Sequence, residues 1–276
     1  MMPIRIYGSP EENLDIAMIA ADKAAKLIRS FHREKKDLQI EFKGKNDLVT
    51  KADLASEALI KEVIGNKFPD DIFLAEESFD GTALTDQRTW IIDPIDGTTN
   101  FAHGFPVYCI SIALYENKEP KMGLIMEAAK SELFTAVKGM GAYLNGRPIH
   151  VSKIADPQQS LLATGFPYRD LGLIDDYLDL FKTFMKETQG VRRPGSAAYD
   201  LACVAAGRFD AFYEYGLAPW DVAAGILIIQ EAGGIVSDWK GEQDYLFGKR
   251  ISAGNPIMHK YVLEQIQKHM RPEFLS

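Results

Sequence analysis

The stretch Trp90-Ile91-Ile92-Asp93-Pro94-Ile95-Asp96-Gly97-Thr98-Thr99-Asn100-Phe101 decides how this chain is read. An apolar run ends directly in an acid, which predicts a strand running out to Asp93. Pro94 fixes its own φ and holds Asp93 extended. Asp93 is therefore expected to project from the strand end, with Asp96 on the turn that follows. Gly97 permits close backbone approach, and Thr98 or Thr99 is expected to cap a new helix. Bare N–H groups at a helix start can hold a phosphate, while nearby carboxylates hold the cations that neutralise it. The same residue types also build plain surface turns, so the stretch needs support from elsewhere.

Two other segments supply it. Leu74-Ala75-Glu76-Glu77-Ser78 places acids at the end of the apolar run Ile72–Ala75. Pro219-Trp220-Asp221 opens an apolar helix, with Asp221 expected as its N-cap. Gly225 inside that helix costs roughly 1 kcal/mol relative to Ala, which points to close packing there.

The rest of the chain is organised around these segments. Apolar residues from Leu14 to Ile28 recur at helical spacing, and a second helix is expected from Ala52 to Ile64. The polar stretch between them, HREKKDLQIEFKGKND, reads as a turn or loop. Three strands follow the motif, in VYCISIALYE, KMGLIMEA and ELFTAV, read as successive antiparallel partners. Asn145-Gly146 is a hairpin signal. Beyond residue 150 strands and helices alternate: LLATG, YLDLFKTFMKET, AAYDLACVAAG, DAFYE, WDVAAGILIIQEAGG, GIVSDW and a last helix at Ile257–His269. The change from meander to alternation divides the chain into an N-terminal α+β half, residues 1–149, and a C-terminal α/β half, residues 150–276. The two are expected to pack as one unit of layered α/β type.

Composition narrows the function. Of 276 residues, 31 are Lys or Arg and 39 are Asp or Glu, a formal charge of −8. That balance disfavours nucleic acid and anionic membranes as principal partners. The longest apolar run, Val222–Ile229, is too short to span a bilayer. The N-terminus shows no basic start followed by an apolar run, so a cytoplasmic location is expected. Cys109 and Cys203 sit in apolar stretches and read as small buried hydrophobes. No Cys or His cluster suits a transition metal. GxSxG and GxxxxGK are absent, and Gly139-Met140-Gly141 lacks the third glycine of a dinucleotide loop.

Taken in order, Asp47–Asp53, Leu74–Ser78, Asp93–Phe101, Gly195–Ala198, Asp210–Glu214 and Trp220–Gly234 resemble the signature blocks of the inositol monophosphatase family, and cover nearly the whole chain. Members are Mg²⁺-dependent, lithium-sensitive phosphomonoesterases, usually homodimers, with an α-β-α-β-α sandwich fold. The resemblance implies two to three Mg²⁺ ions held by Glu76, Asp93, the Ile95 carbonyl, Asp96 and Asp221. It implies in-line attack by a metal-activated water, with Glu76, Thr98 and Asp53 as the catalytic residues. The N–H groups of Gly97 and Thr98 would contact phosphate. Asp96, Asp221, Gly195, Ser196, Ala197 and Glu214 would surround the substrate alcohol, a small phosphorylated polyol or sugar. Tyr168, Arg169 and Lys43 are looser candidates, and His103 reads as a surface residue near the motif. Thr99-Asn100 favours inositol 1-phosphate as substrate over bisphosphate nucleotides and histidinol phosphate. Fructose 1,6-bisphosphate, or a broader set of sugar and nucleotide esters, is the enzymatic alternative. A regulatory binding protein on the same fold is the non-enzymatic one.

Overall fold

The computed structural model describes residues 8–33, 41–44, 47–168 and 170–275. Arg169, the side chain of Lys43, residues 1–7 of the N-terminal segment and residues 34–40 of the polar stretch lie outside the described residues. Helix α1 (Pro10–Arg33) extends the expected helix at both ends and buries Ala17, Ala21, Ala24 and Ile28. The polar stretch after it is not wholly a loop. Its residues 41–44 form strand β1 (Glu41–Gly44), which pairs antiparallel with β2 (Asp47–Val49). So short a ribbon needs little apolar patterning to satisfy its backbone, which is why the sequence does not announce it.

Helix α2 (Lys51–Gly65) starts at a capping box. The Thr50 hydroxyl accepts from Ala52 N, and Asp53 accepts from Thr50 N. Then come β3 (Ile72–Ala75), β4 (Thr89–Asp96) and the short helix α3 (Thr98–Ala102). The antiparallel run continues through β5 (Cys109–Glu116), β6 (Glu119–Glu127), β7 (Glu132–Val137), β8 (Ala142–Leu144) and β9 (Arg147–Ile149). Among the described residues these strands make one seven-stranded sheet in the order β3 to β9, with only β3 and β4 parallel. The expected Asn145-Gly146 hairpin joins β8 to β9, and both turn residues have positive φ.

The second sheet is five-stranded and mixed. It holds β10 (Leu161–Thr164), β11 (Gly190–Arg192), β12 (Ala211–Tyr215), β13 (Ile235–Ser237) and β14 (Arg250–Gly254), in the order β11-β10-β12-β14-β13. Its helices are α4 (Ile174–Glu187), α5 (Ala197–Ala205), α6 (Pro219–Glu231) and α7 (Pro256–His269).

Three cores show how the layers stack. Helices α1 and α2 pack on one face of the first sheet through Ile28, Ile60, Trp90, Ile92 and Ile112. Helices α5 and α6 fill the space between the sheets, against Ile91, Ala113, Phe212 and Ile251. Helices α4 and α7 cover the far face of the second sheet through Tyr177, Phe184, Tyr213 and Val262. The order is α-β-α-β-α. Strands covered on both faces read as nearly continuous apolar runs, as Cys109–Tyr115 does with Ser111 as its one polar residue. Gly225 lets α6 approach α5: a Cβ there would lie 2.7 Å from Leu201 Cβ. Val222–Ile229 lies buried in that middle layer, and no helix of the described residues is long and apolar enough to cross a membrane.

Candidate active site and metal centre

Strand β4 builds the site through a break in its own regularity. Side chains alternate along a strand, so residues three apart point to opposite faces. Ile92 faces α1 and α2, whereas Ile91 faces α5 and α6. Asp93 falls on the inner face with Ile91. Strand pairing then shifts register between Asp93, opposite Ser111, and Asp96, opposite Cys109. Pro94 sits in this bulge, where its missing N–H costs no ladder bond. Ser56 Oγ donates to the Pro94 carbonyl at 3.1 Å and pins the bulge. Ile95 consequently faces α1 and α2, and Asp96 returns to the inner face. Asp96 thus ends the strand instead of sitting on the turn after it, because the bulge keeps the pairing going.

Two further expectations change. Gly97, with φ 91°, is the N-cap residue of α3, and Thr98 is its first helical residue. A Cβ on Gly97 would lie 3.0 Å from the Val107 carbonyl, and at φ 91° any side chain would strain the backbone. Asp221 is not the N-cap of α6. Ala218 holds that position, and Asp221, three residues on, accepts from its N–H at 2.7 Å. Pro219 at the first helical position pushes the start of the helix back.

The carboxylates of Asp93, Asp96 and Asp221 lie within 4.8 Å of one another. Each has one oxygen held in place. Asp93 Oδ1 accepts from Ile95 N at 2.9 Å, and Asp221 Oδ2 from Ala218 N. Asp96 Oδ2 accepts from Ser196 Oγ at 2.6 Å and Ala198 N at 2.7 Å, with Cys109 Sγ at 3.7 Å. Glu76 lines the same cavity but stands outside the three-acid cluster. Burial pushes the Asp93 carboxyl well above its ordinary range, and the charges of Glu76, Asp96, Asp221 and Asp53 push it further. Burial likewise raises Asp96, against its hydrogen bonds. So many acids converging on a buried carboxyl is the electrostatic signature of a cation site. The all-oxygen donor set fits a hard divalent ion such as Mg²⁺.

Asp53 lies behind this floor, fully buried and raised by desolvation. Its Oδ2 caps α2, while Oδ1 is 3.1 Å from the Thr98 hydroxyl, which also reaches the Ile95 carbonyl at 3.0 Å. Above the floor opens a cavity of about 1080 Å³. Gly97, Thr98, Gly195, Ser196, Ala197, Glu214 and Tyr168 line it, as does exposed His103. Ser196 spends its hydroxyl on Asp96. Asn100 ties the segments together by donating to Val107 O at 2.8 Å and Pro194 O at 2.9 Å. Cys109 and Cys203 are buried and free, as expected.

Sequence reasoning missed Asp200, Arg193 and Lys249, which also line the cavity. For Asp200 a signal existed: it is the one acid in the apolar helix Ala197–Ala205.

The sequence matches the inositol monophosphatase family over residues 9–271. The chain belongs to that family. It is 41% identical over 263 residues to a Pseudomonas aeruginosa protein named Nus factor SuhB, covering 94% of this chain and 97% of that one. The fold superposes on the extragenic suppressor protein suhB from Bartonella henselae with a TM-score of 0.88 at 39% identity, covering 93% and 99% of the two chains. It superposes on an inositol monophosphatase from Anabaena with a TM-score of 0.80 at 38% identity, covering 95% and 97%.

Proposed function

We propose that this inositol monophosphatase family member hydrolyses a phosphate monoester of a polyol, inositol 1-phosphate first, with two to three Mg²⁺ ions. The observation that carries the reading is the convergence of Asp93, Asp96 and Asp221 at the base of a cavity large enough for a sugar phosphate. Glu76, Asp93, the Ile95 carbonyl, Asp96 and Asp221 would hold the cations. When bound, the cations neutralise the phosphate and supply an acidified water for attack. The Gly97 and Thr98 N–H groups orient the phosphate. Glu76 receives the proton of the attacking water, while Thr98, held by Asp53, fixes the direction of approach. Asp96 and Asp221 would hold the ion that stabilises the leaving oxygen, and Glu214, with Gly195 and Ala197 beside it, would hold hydroxyls of the alcohol. The halves 1–149 and 150–276 act as one cytoplasmic, homodimeric unit.

Phosphate release from inositol 1-phosphate, fructose 1,6-bisphosphate and adenosine 3′,5′-bisphosphate tests this reading. Inositol 1-phosphate is expected to be turned over best, with activity lost to EDTA, to Li⁺ and to Asp96→Asn. Robust turnover by Asp96→Asn would sink the ligand assignment.

The name Nus factor carried by the curated relatives favours a second reading, in which the fold also serves a regulatory partner. The charge of −8 favours a protein partner over nucleic acid. An Asp93→Asn chain that keeps a growth phenotype of the wild type while losing phosphate release would support that reading.

A further inference from the structure

The cavity wall holds a second pair of carboxyl groups that the cation floor does not use. Asp200, in α5, is 1% exposed, and its Oδ1 is sealed from solvent and accepts no hydrogen bond. The residue nevertheless lines the cavity. Buried acceptors almost always find donors, so an orphan at a cavity wall marks a place where a ligand supplies one. Packing does not account for the acid. Helix α5 is otherwise apolar from Ala197 to Ala205 apart from the Tyr199 hydroxyl, and an apolar side chain would fill the volume without desolvating a carboxyl.

Glu214 is the charge that acts most strongly on Asp200. Its place is made by Gly165, where an added Cβ would sit 1.8 Å from Glu214 Oε1. Strands β10 and β12 pair in parallel up to Thr164 opposite Tyr213, which brings Gly165 and Glu214 abreast just beyond. Burial raises both carboxyls, and Arg193 is the cation that opposes this at each. A wall that already has one positive charge needs hydrogen-bond donors more than further charge. That favours neutral hydroxyls over an ammonium group.

Building on the proposed phosphatase reading, we infer that Asp200 is a specificity residue for the substrate alcohol. It accepts a hydrogen bond from a hydroxyl next to the one Glu214 holds.

The test compares inositol 1-phosphate with 4-nitrophenyl phosphate, which has no hydroxyl to offer, in wild type and Asp200→Leu, which removes the acceptor. The ratio of kcat/KM between the two substrates is expected to fall about tenfold in the variant, through KM. Free myo-inositol is expected to inhibit hydrolysis of the aryl ester, with its inhibition constant rising about tenfold in the variant. A melting curve checks folding, and Asp200→Ala replaces the leucine variant if it does not fold. A ratio constant within about twofold (below what one lost hydrogen bond to a charge gives), or equal losses on both substrates, would overturn the inference. Failure of the phosphatase reading looks different: wild type then fails on inositol 1-phosphate itself. Inhibition by inositol that depends on Asp200 would uphold the inference even so, and its absence would end both.

Discussion

Two groups of acids share one cavity, and their backbones treat them in opposite ways. On the floor, Asp93, Asp96 and Asp221 each have a carboxylate oxygen fixed by an N–H or hydroxyl donor. On the wall, Asp200 has an oxygen with no donor, and Glu214 rests against a glycine. The floor is preorganised for something that brings charge and demands geometry, as a small divalent ion does. The wall awaits something that brings donors. On the proposed reading, one cavity fixes the chemistry at its floor and leaves choice of alcohol to its wall.

The largest expected effect breaks the floor. Asp93→Asn removes the most crowded carboxylate, and phosphate release should fall by about 10³ or more, the scale seen when electrostatic stabilisation of a transition state is lost. In metal-free protein the same change removes repulsion from four neighbouring acids. Its Tm should therefore rise by about 2–4 °C, the shift that about 1 kcal/mol gives in a chain of this size. Lower activity with a lower Tm would mean that Asp93 is structural.

Next comes the bond that steadies the floor from across the cavity. Ser196→Ala deletes the 2.6 Å donor to Asp96. Mg²⁺ affinity, measured by calorimetry, should weaken by about 10- to 100-fold, as when other partners that orient metal ligands are lost. An unaltered affinity would reduce Ser196 to a wall residue.

Gly165→Ala attacks the wall instead. Its Cβ would displace Glu214, so KM for inositol 1-phosphate should rise about tenfold while Mg²⁺ affinity moves far less. Equal damage to both would erase the distinction between floor and wall.

The smallest effect is a pH slope. Glu214 is pushed by burial from 4.5 up to about 8. Between those values the folded chain holds a proton that the unfolded chain has released. Stability of the metal-free protein should therefore fall as pH rises from 4.5 to 8. Burial raises Asp53, Asp93, Asp96 and Asp200 in the same direction. Tm should thus be higher at pH 6 than at pH 8 without metal, and the Tm gain on adding Mg²⁺ should be larger at pH 8. A flat or rising Tm without metal would contradict the burial of these groups.

The floor was legible in sequence and the wall only half so, for a physical reason. Asp93, Asp96 and Asp221 sit at element ends, where short runs of Pro, Gly and Asp carry a local code. Even there the bulge at Pro94 was hidden, since register depends on the partner strand. Glu214 could be named from a resemblance, but its pairing with Asp200 could not. That pairing depends on α5 packing beside β12, and an acid within an apolar helix says nothing about which cavity it reaches. Layer order was readable because alternation and continuous apolar runs reflect burial directly. The β1–β2 ribbon buries too little to leave such a trace.

The link between Asp96 and the start of α5 joins residues 96 and 198, and the floor closes only with Asp221. Seen from the ribosome, this sets an order of events. An emerging chain presents Asp93 and Asp96 early, but it lacks a three-carboxylate site until residue 221 of 276 has left the exit tunnel. Until residues 196 and 198 have joined it, Asp96 also lacks the two donors that hold its Oδ2.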